Sequence, residues 1–206
     1  MSAPEAAVID PDRSLDRVLG EARACARCAA ALPLGPRPTL RGSTTARILI
    51  VGQAPGTRVH ETGVPFNDPS GDRLRLWLGI DRDVFYDESR IAIVPAGLCY
   101  PGRNARGGDL PPRKECAPLW HPRIRPLLTG VELTVAVGLY AHAIYLGPRR
   151  HRTLTETVRH WRDYLPEILP TPHPSWRVNM WLKRNPWFEA EVVPELQRRV
   201  ATLLDR

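Results

Sequence analysis

Four cysteines, Cys25, Cys28, Cys99 and Cys116, are the residues of this chain with the plainest chemical potential. Thiolates are the donors that soft metal ions and iron-sulfur clusters favour. Cys25 and Cys28 are spaced C-x2-C, so on a helix their sulfurs face the same way, as two ligands of one centre require. Cys99 and Cys116 are single and separated by residues 100–115, whereas a four-cysteine zinc knuckle usually repeats the close pair. The spacing mildly disfavours zinc, and four buried core cysteines remain the alternative. Proton-handling groups lie elsewhere. His173 sits in the turn Pro172-His173-Pro174-Ser175, and imidazole can donate or move a proton near neutral pH. Asp68, in Pro65-Phe66-Asn67-Asp68-Pro69-Ser70-Gly71, offers a carboxylate, although a turn of this composition also uses an Asp structurally. Gln53 stands in Gly52-Gln53-Ala54-Pro55-Gly56, a turn whose glycines let backbone approach a ligand closely.

Four apolar runs are placed to deliver these residues. Residues 47–53, 91–94, 132–138 and 167–171 have the continuous apolar character of strands covered on both faces. The first ends in Gly52 to Gly56, the second in Pro95-Ala96-Gly97-Leu98-Cys99, and the fourth in the His173 turn. Helical patterns lie between them. Ser14 is positioned to cap one that carries Leu15, Val18, Leu19, Ala22, Cys25, Ala26 and Ala29, which puts Cys25 and Cys28 on its last turn. Others contain Leu74, Leu76, Trp77 and Leu78; Cys116, Leu119, Trp120 and Ile124; and residues 140–146. Asn185-Pro186 is expected to open a final helix with core face Phe188, Val192, Leu196, Val200 and Leu203, bent at Pro194. Strands alternating with helices predict the α/β class, a three-layer α/β/α sandwich around a central four-stranded parallel sheet. Ligands of such sheets sit at the carboxyl ends of the strands, where most of the candidate residues fall.

Composition narrows the partners. With 206 residues and 43% hydrophobic content, one core and one domain over residues 1–206 are expected, with residues 1–12 as a flexible tail. Lys and Arg total 29 against 22 Asp and Glu, a formal charge of +7 that favours a polyanionic partner, nucleic acid first. No run has the length of a membrane span, and the first residues lack the basic-then-apolar pattern of a secretory signal. A cytoplasmic protein with no membrane partner is expected, and in a reducing compartment four cysteines suit metal ligation or the core better than disulfides. Neither a Walker lysine motif nor a G-x-G-x-x-G fingerprint is present, which counts against a nucleotide-processing α/β hydrolase.

In order along the chain, the C-x2-C pair, the GQAPG turn, Gly63-Val64-Pro65-Phe66, the two later cysteines and His173-Pro174-Ser175 together resemble the uracil-DNA glycosylase superfamily. They are most similar to its iron-sulfur branches, known as families four and five. The resemblance extends from Cys25 through His173 and the loop after it. It implies a 4Fe-4S cluster on Cys25, Cys28, Cys99 and Cys116, with zinc as the alternative, and DNA containing uracil or other deaminated bases as the partner of a monomeric enzyme. It also implies site roles: His173 donating to the base oxygen, Phe66 as a stacking platform, and Gly52, Gln53, Ala54 and Pro95 around the base. The segment from Ser175 through Arg177 and Asn179 to Met180 corresponds to the DNA-intercalating loop, where Arg177 or Met180 would fill the gap left by a flipped base. Arg103, Arg106, Arg113 and Lys114, between the last two cysteines, would form a basic surface on the same DNA.

The chemistry of such an enzyme can be set against these residues directly. Breaking an N-glycosidic bond builds positive charge on the sugar and negative charge on the leaving base, so the site needs an anion donor, a carboxylate and a surface for an extruded base. Two departures matter. Family one has an Asp where Ala54 stands and family four a Glu where Gln53 stands, so the acid must come from elsewhere, and Asp68 resembles the acidic residue of family five. Family four also has a base-reading Asn where this chain has Pro95, which predicts a broadened base range. The missing acid also supports a rival reading, a catalytically degenerate protein that binds damaged DNA. A branch that attaches covalently to DNA uses a His in the loop after the second strand, and residues 100–115 contain none.

Overall fold

The computed structural model describes residues 11–105 and 107–205, with side chains described from residue 14 onward. Four strands, β1 (Ile48–Val51), β2 (Ile91–Ile93), β3 (Leu133–Val137) and β4 (Ile168–Thr171), form one sheet in the order β2-β1-β3-β4. Every pairing is parallel, with Ile48 beside both Ile91 and Leu133, and Val137 beside Thr171. Parallel neighbours need crossovers, and the crossovers cover both faces. That is why the strands carry no polar alternation: all of β1, β2 and β3 is buried.

Side chains alternate between the two faces along each strand. Ile48, Ile50, Ile91, Ile93, Val135 and Val137 point to one face. There they meet α3 (Pro69–Leu78), α4 (Arg82–Tyr86), α7 (Leu154–Arg159), α8 (Val178–Arg184) and α9 (Val193–Leu204). Leu49, Val51, Ala92, Val94 and Ala136 point to the other face, against α1 (Pro11–Arg23), α5 (Cys116–Ile124) and α6 (Leu139–Tyr145). The expected three-layer α/β/α sandwich is therefore the observed fold. A further short helix, α2 (Thr57–Thr62), follows the loop after β1.

Several local expectations are corrected. Ser14 lies inside α1, which begins at Pro11, so Pro11 and Asp12 are helical; residues 1–10 of the expected tail lie outside the described residues. The same helix stops at Arg23. Its backbone tightens from Ala24 N–H on Gly20 O to Cys25 N–H on Ala22 O, and Cys28 then caps a 3-10 turn at Ala29–Ala31. Helix-favouring alanines are overridden there by tertiary packing, because the turn carries both thiols toward Cys99 and Cys116. Asn185 ends α8 instead of opening the last helix: its side-chain amide donates to the Trp181 carbonyl and accepts from Trp187 Nε1. At Pro194 the irregularity takes the form of a π-helical turn, Phe188–Val192, immediately before α9. A wider turn accommodates a proline that lacks an N–H and crowds the preceding carbonyl.

Candidate active site

The loops leaving β1, β2 and β4 converge at the carboxyl edge of the sheet around a cavity of about 650 Å³. That volume is in the range of small-molecule sites and accommodates a nucleoside. Gly52 follows β1 directly. A Cβ there would come within 2.9 Å of the Phe66 ring, so glycine is what lets the aromatic ring lie over the strand end. Phe66 itself holds φ 54°, a left-handed conformation uncommon for a bulky residue. Gly71 makes that conformation possible, since a Cβ on it would meet the Phe66 carbonyl oxygen at 1.7 Å. The Phe66 ring stands edge-on to Phe85, 6.1 Å between centroids, and the Tyr86 hydroxyl donates to the Pro65 carbonyl.

Asp68 has two jobs. Its Oδ1 accepts from the Gly71 N–H at 2.9 Å, making it the N-cap of α3, and its side chain lines the cavity. The structural use of a turn Asp and a place in the site thus coexist in one residue.

His173 stands two residues beyond β4 and is half-buried in the cavity wall. Gly138, at φ 82° after β3, leaves room for it: a Cβ there would lie 3.3 Å from the His173 Cβ. Desolvation lowers the imidazole pKa, the Asp68 and Asp109 carboxylates oppose that shift, and Arg177 reinforces it. The net direction favours a neutral ring, able to donate one hydrogen bond without carrying a charge. Arg73, on α3, donates to the Ser175 carbonyl at 3.0 Å and ties the turn after His173 to the Asp68 helix.

Pro95 lines the opposite wall, after β2. Ala96 N–H donates to Gly52 O and Gly97 N–H to Gln53 O, so the β1 and β2 loops are bonded together. The Pro95 carbonyl accepts from buried His121 Nε2–H at 3.1 Å, and His121 Nδ1 in turn accepts from the Tyr145 hydroxyl. Burial lowers the His121 pKa, consistent with this neutral tautomer. With the Pro95 carbonyl engaged from behind, Gln53 is the nearest side-chain amide in the loop. Its Nε2 donates to the Leu110 carbonyl at 3.3 Å, which orients it.

Residues 100–105 and 107–112 fold back over the site. Leu110 N–H donates to Gly102 O, Asn104 N–H to Gly108 O, and Arg103 pairs with Asp109 at 3.5 Å. Pro112 packs against Gly97, where a Cβ would meet it at 2.7 Å. Arg103, Gly107 and Asp109 consequently reach the cavity.

Of the residues singled out in the sequence, Gly52, Gln53, Ala54, Phe66, Asp68, Pro95, Arg103, His173, Ser175 and Arg177 all line this one cavity. Asn179 does not. It is exposed on α8, one residue before Met180, itself 57% exposed. Arg106 lies outside the described residues. Trp176 is 72% exposed at the cavity mouth, with the Arg177 guanidinium over its ring at 5.0 Å. Asp109 and Arg73 escaped the sequence reading. Asp109 had one available signal, a carboxylate placed between Gly107-Gly108 and Pro111-Pro112.

The four cysteines gather at a separate, small hollow shared with Leu32, Leu98 and Trp120. None is in a disulfide. Burial, with repulsion from the other cysteines, pushes the Cys116 thiol up to about 11 and raises Cys99 in the same direction, while the Leu98 N–H donates to Cys116 Sγ at 3.3 Å. Among the described residues no group of three or more His, Cys, Asp or Glu is disposed to hold a single metal ion.

The carboxyl edge of the parallel sheet thus gathers a carboxylate, an imidazole and an aromatic ring around one cavity. Residues 41–197, well over half of the chain, match the family model of the Uracil DNA glycosylase superfamily. The chain belongs to that superfamily, whose members act on DNA.

Proposed function

We propose that this protein is a monofunctional DNA glycosylase that hydrolyses the N-glycosidic bond of uracil, and of other deaminated bases, and leaves an abasic site. The observation that carries the reading is the cavity in which His173, Asp68, Phe66 and Gln53 meet, within a chain of this superfamily. An extruded base enters between Phe66 and the Pro95 wall, and Gln53 faces its edge. As the bond breaks, the His173 N–H donates to the oxygen on which negative charge accumulates, the type of preorganised donor worth about 2.7–4 kcal/mol. The carboxylate of Asp68 balances positive charge on the sugar. Trp176 and Arg177 are exposed at the cavity and Met180 is exposed on the helix that follows, and these side chains are the ones to hold the duplex open.

We assign the protein to the iron-sulfur branches of the superfamily, as one domain acting as a monomer. Four free thiols around one hollow, one of them receiving a backbone N–H, suit a 4Fe-4S cluster on Cys25, Cys28, Cys99 and Cys116 better than a lone zinc ion. Bound there, the cluster supplies cross-links between the end of α1 and both ends of the 100–115 loop, since glycosidic hydrolysis moves no electrons.

The test is incubation with a uracil-containing oligonucleotide followed by alkaline strand scission. Scission at the uracil is expected. Tight binding without scission on uracil, hypoxanthine or xanthine DNA would mark a catalytically degenerate damage-binding protein. Anaerobically purified protein should be brown with about four irons per chain, and a colourless protein with stoichiometric zinc would end the cluster assignment.

A further inference from the structure

We propose that Asp109 is a second catalytic carboxylate, delivered from the loop between Cys99 and Cys116, and that it holds the attacking water; this rests on the glycosylase reading above. The turn after β1 carries no acid, because Gln53 and Ala54 occupy its centre. The Asp109 carboxylate supplies one from outside that turn. Its Oδ2 lies 3.9 Å from where a Gly56 Cβ would stand, so it rests against the same turn and inside the same cavity as His173 and Asp68.

Four contacts make the placement a built one. Arg103 Nε pairs with Asp109 Oδ1 at 3.5 Å, which leaves Oδ2 on the Gly56 side. The next residue, Leu110, donates its N–H to the Gly102 carbonyl and accepts from Gln53 Nε2, so a backbone bond fixes the loop to itself and a side-chain bond fixes it to the β1 turn. Pro112 seated on Gly97 fixes the loop to the β2 turn. Asp68 commits Oδ1 to the Gly71 N–H as a helix cap. Each carboxylate thus commits one oxygen, Asp68 to the backbone of its own helix and Asp109 to Arg103, and it is the second oxygen of Asp109 that rests against the β1 turn, where we place the attacking water. Both carboxylates also act on His173, which places each of them within electrostatic reach of that ring.

The reaction balances with these groups alone. The bond from C1′ to the base nitrogen breaks with its electron pair passing to the base, which leaves as an anion bonded to the His173 N–H. Water oxygen then bonds C1′, its proton passes to the Asp109 carboxylate and on to solvent, and the released base takes a proton from solvent.

The experiment is single-turnover excision of uracil by the purified full-length protein and its Asp109→Asn and Asp109→Glu variants, with DNA affinity measured on the same oligonucleotide. Asp109→Asn should slow excision by about 10²-fold or more, the range of one positioned general base, with affinity within about twofold because phosphate contacts dominate it. Asp109→Glu keeps a carboxylate and should retain clearly more activity than the amide. Near-normal excision by Asp109→Asn overturns the assignment. Equal losses in Asn and Glu, or a rate loss matched by an affinity loss, also overturn it by showing that only loop shape matters. If the unmodified protein excises no deaminated base at all, the glycosylase reading fails and takes this assignment with it. Brisk excision with an unaffected Asn variant sinks Asp109 alone.

Discussion

At the scale of single residues, the proposed mechanism divides the work between His173 and Asp68 by charge. In that mechanism an imidazole whose pKa desolvation lowers, with two carboxylates opposing the shift, donates to an anion that forms only as the bond breaks, so its contribution would fall in the transition state. His173→Ala should cost about 10²- to 10³-fold in single-turnover rate, the scale of one lost anion donor, and leave DNA affinity nearly unchanged. Near-normal cleavage by that variant would end the proposed mechanism. Asp68 needs a pair of variants because it also caps α3. Asn caps a helix about as well as Asp, so Asp68→Asn removes the charge and keeps the cap, whereas Asp68→Ala removes both. Both variants should lose excision. Only Asp68→Ala should lose stability, by about 1 kcal/mol in denaturant unfolding. Equal stability losses would mean that the charge, and not the cap, is what α3 requires.

At the scale of elements, the sheet was legible and the loops were not, for one physical reason. Strands covered on both faces must be apolar throughout, so ILIV at 48–51 and LTVAV at 133–137 announce themselves locally. Cys25 and Cys28 belong to an alanine-rich stretch with local helix preference, and only packing against Cys99 and Cys116 turns the chain there. Asp109 reaches the site because its neighbours Leu110 and Pro112 meet Gly102, Gln53 and Gly97, and the glycines and prolines that flank it mark a turn without saying where the turn leads. The role of Gly71 was equally hidden, because its crowding by the Phe66 carbonyl depends on a left-handed φ. Buried His142, on α6, shows what such junctions hold together. Its Nε2–H is shared between the carbonyls of Ala136 on β3 and Thr171 on β4, at 3.1 Å each, directly beneath the His173 turn. Desolvation is the main cause that brings its pKa down to about 4, against bonds to those carbonyls that raise it. In the unfolded chain a histidine titrates near 6.5. Between about 6.5 and 4 the unfolded state therefore binds the extra proton, and stability rises with pH across that window. Acidification through it should cost up to about 3 kcal/mol from this residue alone. His142→Gln keeps a donor for both carbonyls and cannot titrate. Its unfolding free energy should fall less steeply than that of the unmodified protein between pH 6.5 and pH 4, although His121 and His173, shifted in the same direction, keep part of the slope in both. Parallel slopes for the two proteins would mean that His142 takes up its proton without opposing the fold.

At the scale of the whole molecule, charge and the cavity mouth act together. The formal charge of +7 sets a general attraction for a polyanion, and no helix among the described residues is long and apolar enough to cross a membrane. Arg58, Arg103 and Arg177 line the cavity into which the proposed function has a strand deliver its base, but they are not equivalent. Arg103 is paired with Asp109, so part of its charge is already balanced inside the protein. Arg177 leans over the exposed Trp176 ring, a stacking contact that holds the guanidinium at the mouth. If Arg177 neutralises one phosphate, Arg177→Gln should reduce the slope of log affinity against log salt by about 0.9 on duplex DNA, or about 0.7 on a single strand. A phosphate carries no sequence information, so uracil-containing and undamaged oligonucleotides should lose affinity alike. Fluorescence anisotropy across a salt series on both DNAs measures this. An unchanged slope would remove Arg177 from the phosphate contacts, and a loss confined to uracil-containing DNA would move it into the gap left by the flipped base, the other place this loop can reach.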